Sequence, residues 1–197
     1  MMGQPILDKY DGIIFLDFDG VFNHDLFYKE KFADIEKFDG VPLYRTARKI
    51  LRKAVKSNEI TGFDYYKGNQ DPKVMSLINL LCKETNTAVV ISASLRNGHD
   101  LNEIIEIFKY CGATFDIIDK TPYTGYERGT EISLWLKDNC MKWFGVQYFD
   151  FHRYMIIDDD SDMLLSQQHN FCKVDNYCGF TPTDYAFVKN FFTHKTF

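Results

Sequence analysis

Apolar residues fall along this chain in short runs that stop at polar or acidic side chains, with stretches of helical spacing between them. The first run, Gly12-Ile13-Ile14-Phe15-Leu16, stops at Asp17-Phe18-Asp19-Gly20-Val21. A continuous apolar run this short, closed by a turn signal, predicts a strand buried on both faces. Thr87-Ala88-Val89-Val90-Ile91 is a second such run, rich in β-branched residues and ending at Ser92. Residues 115–119 give a third. Residues 153–157 give a fourth, which stops in Asp158-Asp159-Asp160-Ser161-Asp162, and residues 171–174 give the last.

The intervening segments predict helices. Over residues 44–58, Ala47, Ile50, Leu51, Ala54 and Val55 share one face, and Arg45, Arg48, Lys49, Arg52, Lys53 and Lys56 occupy the others. Asp71-Pro72 opens a helix that runs to about residue 84, with an acidic cap and a proline at the first helical position. Helices are expected over 99–110 and 131–143, the second closed by Gly145, and a last one after Thr181-Pro182-Thr183-Asp184. Residues 22–43 are aromatic and without period, and residues 61–70 read as a loop. Strands alternating with helices predict one α/β domain over residues 1–197 with a mainly parallel sheet, residues 22–70 forming an insert or small cap after the first strand.

Composition narrows the picture without redirecting it. With 197 residues, 45% of them hydrophobic and 26% charged, the chain can bury roughly 70% of the surface its unfolded form exposes. No window approaches the ~18 apolar residues of a membrane span, and the first residues lack a basic segment followed by an apolar one, so a soluble, cytoplasmic protein is expected. Five scattered cysteines show neither Cys-x-x-Cys nor zinc-ligand spacing, which fits reduced thiols. A net charge of −5 argues against a globally basic nucleic-acid binder. The basic face of the helix over 44–58 still offers a local patch for an anionic substrate.

Three runs therefore end in chemistry: Asp17 with Asp19, Ser92, and Asp158 with Asp159. In open α/β sheets, ligands sit outside the carboxyl ends of the strands, where distant parts of the sequence converge. Carboxylates gathered there repel one another, and the common remedy beside a phosphate is Mg²⁺. One carboxylate can attack phosphorus and form an aspartyl-phosphate, while a second protonates the leaving oxygen and later activates water. The hydroxyl and backbone N–H groups of the Ser92 turn, with a cation, would hold the phosphoryl oxygens. The acidic run 158–162 lacks the order of a calcium loop, and no Gly-x-x-x-x-Gly-Lys stretch supports a fused kinase. His24, His99, His152, His169 and His194 show no metal-ligand spacing; His24, close behind Asp19, is the one placed to line a substrate entrance.

Asp17-x-Asp19-Gly20-Val21, Ser92 after an apolar strand, a basic residue opening a helix, and Ile156-Ile157-Asp158-Asp159 together resemble the four motifs of the haloacid dehalogenase (HAD) superfamily. The segments around 90–96, Asp119-Lys120-Thr121-Pro122, Arg128-Gly129-Thr130-Glu131-Ile132, residues 156–163 and Gly179-Phe180-Thr181 are similar to a HAD-like branch found in bacterial and phage proteins and in RNA-repair polypeptides. The resemblance implies a three-layer Rossmann-like fold and a Mg²⁺-dependent phosphatase. It makes Asp17 the nucleophile and a metal ligand, and Asp19 the general acid and base with its backbone carbonyl on the metal. Ser92, Ala93 and Arg96 would bind the phosphoryl group, and Asp158 or Asp159 would complete the metal site, with Asp162 in an outer shell. The family's usual lysine is Arg128 here, with Lys120 the other candidate for its role. A tryptophan frequent before the motif's arginine is Leu95. The substrate implied is a phosphorylated small molecule, a nucleotide or a nucleic-acid end. The alternative is an inactive HAD-like domain that binds a phosphorylated ligand or a partner protein. Asp19 favours the enzyme, because binding alone needs no proton donor two residues from a nucleophile. Dehalogenation fits less well, since it needs neither Asp19 nor the metal carboxylates.

Overall fold

A computed structural model of the protein describes residues 9–31, 43–148 and 151–194. The strands are β1 (Gly12–Leu16), β2 (Thr87–Ile91), β3 (Ile117–Lys120), β4 (Tyr154–Asp158) and β5 (Phe171–Lys173). They form one sheet in the order β3-β2-β1-β4-β5, with every neighbouring pair parallel. The helices are α1 (Asp25–Lys31), α2 (Leu43–Lys56), α3 (Gly62–Gly68), α4 (Pro72–Thr85), α5 (Leu101–Tyr110), α6 (Arg128–Phe144) and α7 (Pro182–His194). Among the described residues, no helix is long and apolar enough to cross a membrane.

The unbroken apolar run of β1 is what a central strand covered on both faces requires. Its residues alternate between two cores, as the two-residue period of a strand dictates. Ile14 and Leu16 pack with Ile78, Leu81, Ile104, Phe108 and Val188, which places α4, α5 and α7 on one face. Ile13 and Phe15 pack with Ile132, Trp135, Leu136 and Cys140 of α6 on the other. Three layers result, in agreement with the Rossmann-like expectation.

Register then decides what meets at the carboxyl edge. Leu16 lies opposite Ile91 of β2 and Ile157 of β4. The next residue of each strand, Asp17, Ser92 and Asp158, therefore stands level with the others. Backbone hydrogen bonds carry the ladder past the strand ends, from Asp17 N to Ile157 O and from Ser92 N to Leu16 O, each at 3.0 Å.

The expectations need correction mainly between β1 and α4. Most of residues 61–70, expected as a loop, form the helix α3 (Gly62–Gly68). Thr61 Oγ1 accepts from Asp64 N at 3.1 Å and Asp64 Oδ2 accepts from Thr61 N at 3.0 Å, a reciprocal cap that stabilises a turn bounded by glycines. The aperiodic stretch after β1 contains α1, while residues 32–42 lie outside the described residues. Arg45 and Arg48 also lie outside the described side chains. Helix α2 forms as expected, although Ile50 on its apolar side is 40% exposed, and the helix packs mainly on α1 and α3. Helix α6 begins at Arg128, three residues earlier than its periodicity predicts, because its first turn is capped from a distant loop, as described below.

Gly12 marks how tightly α7 is set against β1. A side chain there would bring its Cβ within 2.5 Å of the Phe192 ring and 2.8 Å of the Arg153 carbonyl oxygen. Gly12→Val is expected to lower unfolding free energy by about 1–3 kcal/mol through overpacking, read as a lower urea midpoint at unchanged slope.

Candidate active site

Asp17, just past the end of β1, and Asp158, the last residue of β4, are buried, and Asp159 next to them is half-buried. One carboxylate oxygen from each of the three lies within 4.8 Å of the others. Arg128, the first residue of α6, reaches between them: its Nη1 is 2.6 Å from Asp17 Oδ1 and 3.0 Å from Asp158 Oδ2. Burial pushes the Asp158 carboxyl up to about 8, with the Asp17 charge adding to the rise and Arg128 opposing it. Asp159 is pushed up to about 6 by burial and by Asp17. Asp17 is also raised, by burial first and by Asp19 against the pull of Arg128. Burial would lower the pKa of Arg128, but Asp17 and Asp158 reverse that and fix its charge. The cluster is thus short of positive charge even with the guanidinium in place, and its donors are all oxygen. That is the donor set of a hard divalent cation.

Ser92 completes the floor. It is fully buried, and its hydroxyl has no hydrogen-bond partner among the described residues. A buried unpartnered hydroxyl is costly, and one level with the Asp17 and Asp158 carboxylates is placed to meet a ligand.

Asp19 lies on the turn beyond β1. Asn23 holds it, with Nδ2 donating to Asp19 Oδ1 at 2.7 Å while Asn23 Oδ1 accepts from Gly20 N at 2.7 Å. Gly20 is required twice: its φ is +76°, and a Cβ would lie 2.2 Å from the Asp159 carboxylate. The turn and the acidic loop after β4 are therefore in van der Waals contact. Asp19 faces a cleft of about 570 Å³ whose walls come from the β1 turn, the 3₁₀ turn Ser94–Asn97, α2 and α3.

Of the basic candidates, only Arg128 meets the acids. Lys120 Nζ donates to the carbonyls of Arg96 and His99, at 3.1 and 2.5 Å. Arg96 folds back on its own turn, donating to the Ser92 and Ala93 carbonyls, and makes a buried ion pair with Glu131 of α6. Ala93 is buried beneath it. Asp162 holds α6 in place: its carboxylate accepts from Arg128 N at 2.9 Å and its carbonyl from Gly129 N at 3.1 Å. Gly129 has no room for a side chain, since a Cβ would lie 2.5 Å from Leu164 N.

His24 does not line the cleft. It is buried, with Nε2 3.2 Å from Asp71 Oδ2 and Nδ1 accepting from Phe27 N, so it ties the start of α1 to the cap of α4. The histidine that lines the cleft is His99, with Tyr66, whose hydroxyl is 2.8 Å from His99 Nε2. Sequence reasoning gives Asn23 and Tyr66 no role, names Glu131 only as part of a motif, and sets His99 aside with the other histidines. Asn23 had a weak signal, an Asx residue three places after a glycine turn; for the others only tertiary contact supplies one.

A family model described as the HAD domain in Swiss Army Knife RNA repair proteins matches residues 13–185, a span that includes every residue of this site. No curated protein and no solved structure matches the chain.

The Arg96–Glu131 pair joins the Ser92 turn to the helix that carries Arg128. Glu131 also accepts from Thr124 N at 2.7 Å. Glu131→Gln leaves Arg96 charged and buried without a counter-ion, and is expected to lower unfolding free energy by about 3–5 kcal/mol in urea titrations; a double Arg96→Met, Glu131→Leu variant should recover part of that loss.

Proposed function

The chain belongs to the family of HAD domains in Swiss Army Knife RNA repair proteins, and on that premise we propose that it is a Mg²⁺-dependent phosphomonoesterase acting on a nucleic-acid end through an aspartyl-phosphate. The observation that carries this reading is the level placement of Asp17, Ser92 and Asp158 on three adjacent strands, with Asp19 on the wall of the neighbouring cleft.

Asp17, Asp158 and Asp159 would hold the ion, with the Asp19 carbonyl as a further ligand. When bound, Mg²⁺ supplies charge against both the carboxylates and the phosphoryl oxygens. In the first step a carboxylate oxygen of Asp17 attacks phosphorus, and the bond to the leaving oxygen breaks as Asp19 gives that oxygen a proton. In the second, Asp19 takes a proton from water, which attacks the phosphorus of the acyl phosphate and restores Asp17. Asn23 keeps the Asp19 carboxyl aimed at the leaving group. The Ser92 hydroxyl and the Arg128 guanidinium hold phosphoryl oxygens whose charge spreads in the transition state, and a guanidinium suits that role by its planar fork of donors. Arg96 and Lys120 act on the site through the turn that presents Ser92.

Purified protein should hydrolyse an aryl phosphate only with Mg²⁺ present. Asp17→Asn should abolish turnover, and activity surviving it would overturn the nucleophile. Asp19→Asn should slow turnover about 10²- to 10⁴-fold.

The raised carboxyls give a readout without catalysis. With Asp158 at about 8 when folded against an ordinary 3.8, the metal-free folded state binds a proton that the unfolded state releases. Its contribution to stability is present at low pH and lost as pH rises from about 4 to 8. Mg²⁺ competes with that proton, so the rise in melting temperature on adding Mg²⁺ should be larger at pH 8 than at pH 5.5. An equal rise at both, measured by calorimetry, would place the ion elsewhere.

A further inference from the structure

The cleft beside Asp19 is larger than a phosphoryl group needs. Its volume is about 570 Å³, and its lining brings Phe18, Tyr65 and Tyr66 together with Arg52 and Lys56. Tyr66 is held firmly, by the His99 hydrogen bond and by edge-on contacts with Phe18 and His99 at 6.2 and 5.7 Å between ring centres. Tyr65, half-buried, sits edge-on against Tyr66 at 5.3 Å. A rigid aromatic wall of this kind suits a flat π-system better than it suits the hydroxyl groups of a sugar phosphate.

Arg52 and Lys56 are exposed and one helical turn apart on α2, and neither makes an ion pair with any described residue. Like charges at this spacing repel, and an anion bound between them relieves the repulsion. Asp19 and Arg52 both act on the Tyr66 hydroxyl electrostatically, so the general acid and the cationic wall lie within reach of one ring. The chain as a whole carries −5, and a polyanion approaching the acidic floor needs local cations to offset that charge.

We propose that this cleft takes the terminal nucleoside of a single-stranded polynucleotide, with its base against Tyr65 and the adjoining phosphodiester on Arg52 and Lys56. The terminal phosphate then enters the Asp17 site. This deepens the phosphatase reading and rests on it. A mononucleotide places its one phosphate at Asp17 and leaves both cations without an anion; an oligonucleotide satisfies both. A base in a duplex stays stacked on its neighbour, so the end must be single-stranded to enter. Stacking on tyrosine tolerates any base, so little sequence preference is expected.

The test is fluorescence anisotropy on the Asp17→Asn protein with Mg²⁺. The probes are two single-stranded RNA hexamers, one phosphorylated at its 3′ end and one at its 5′ end, each labelled at the opposite end. Arg52→Gln with Lys56→Gln should weaken binding tenfold or more for at least one hexamer. It should also flatten the slope of log K against log salt by about 0.7, the contribution of the one phosphodiester of a single strand that is no longer neutralised. Tyr65→Ala should weaken binding about 5- to 100-fold, and Tyr65→Phe, which keeps the ring, should restore it. Each variant is checked by thermal melting, and because Arg52 and Lys56 are exposed, that pair tests the cleft even if Tyr65→Ala fails to fold. Affinity and salt slope unmoved by Arg52→Gln with Lys56→Gln would overturn the assignment. If the wild-type protein hydrolyses an aryl phosphate while hexamer binding ignores these substitutions, the cleft assignment alone falls. If it hydrolyses nothing while binding follows them, the phosphatase reading falls and the cleft stands as a polynucleotide site.

Discussion

Three carboxylates at the buried end of a parallel sheet repel one another, and the fold is arranged to bring positive charge to them. Asp17 and Asp158 are forced together by register, because the residues before them, Leu16 and Ile157, are paired in the ladder. Asp159 follows and presses on Gly20. The compensating group is Arg128, and its position depends on contacts far from it in sequence. Asp162 caps the helix it opens, Gly129 lets that helix lie against Leu164, and Gln167 donates to the Gly129 carbonyl at 2.9 Å. The helix also directs the positive end of its dipole toward the acids.

A second lock ties the turn of the buried Ser92 to the same helix. Arg96 bonds the carbonyls of Ser92 and Ala93 and pairs with Glu131, three residues after Arg128. Isolated buried ion pairs contribute little net stability. This one spans two elements, the Ser92 turn and α6, and fixes the separation of Ser92 and Arg128. The turn after β1 is held as well: Asp71 N donates to Phe22 O at 2.8 Å, and Phe180 N donates to Val21 O at 3.2 Å. Tyr28 donates to Asn69 Oδ1 at 2.6 Å, fastening α1 to the end of α3. Asp19 therefore projects from a turn braced by two separate parts of the chain, the start of α4 and the segment before α7.

The helices between β1 and α4 give the site its one open wall. They bring aromatic rings and the exposed cations of α2 next to Asp19, and they do so without adding to the sheet. The acidic floor and the wall built from α2 and α3 meet at Asp19, which lines the cleft between them. A chain of net charge −5 thus presents a local pair of cations, Arg52 and Lys56, on one wall of the cleft.

Among the described residues, apolar runs, periodicity and caps locate the five strands and the helices α2, α4, α5, α6 and α7, because all three are local signals. They fail at α3, whose terminal glycines read as a loop and whose Thr61–Asp64 cap shows only in three dimensions. They also fail at His24, which looks like an entrance residue by its distance from Asp19 and is buried against Asp71. The sequence by itself determined that acids and a serine end neighbouring strands, and hence that a charged site forms at the carboxyl edge. Only the tertiary structure decided that Arg128 and not Lys120 reaches the acids, that Arg96 braces the turn, that Asp162 caps a helix, and that His99 lines the cleft. The physical reason is range: propensity and periodicity act within a few residues, whereas a charge finds its counter-ion, and a buried hydroxyl its emptiness, only through residues that folding brings together from across the chain.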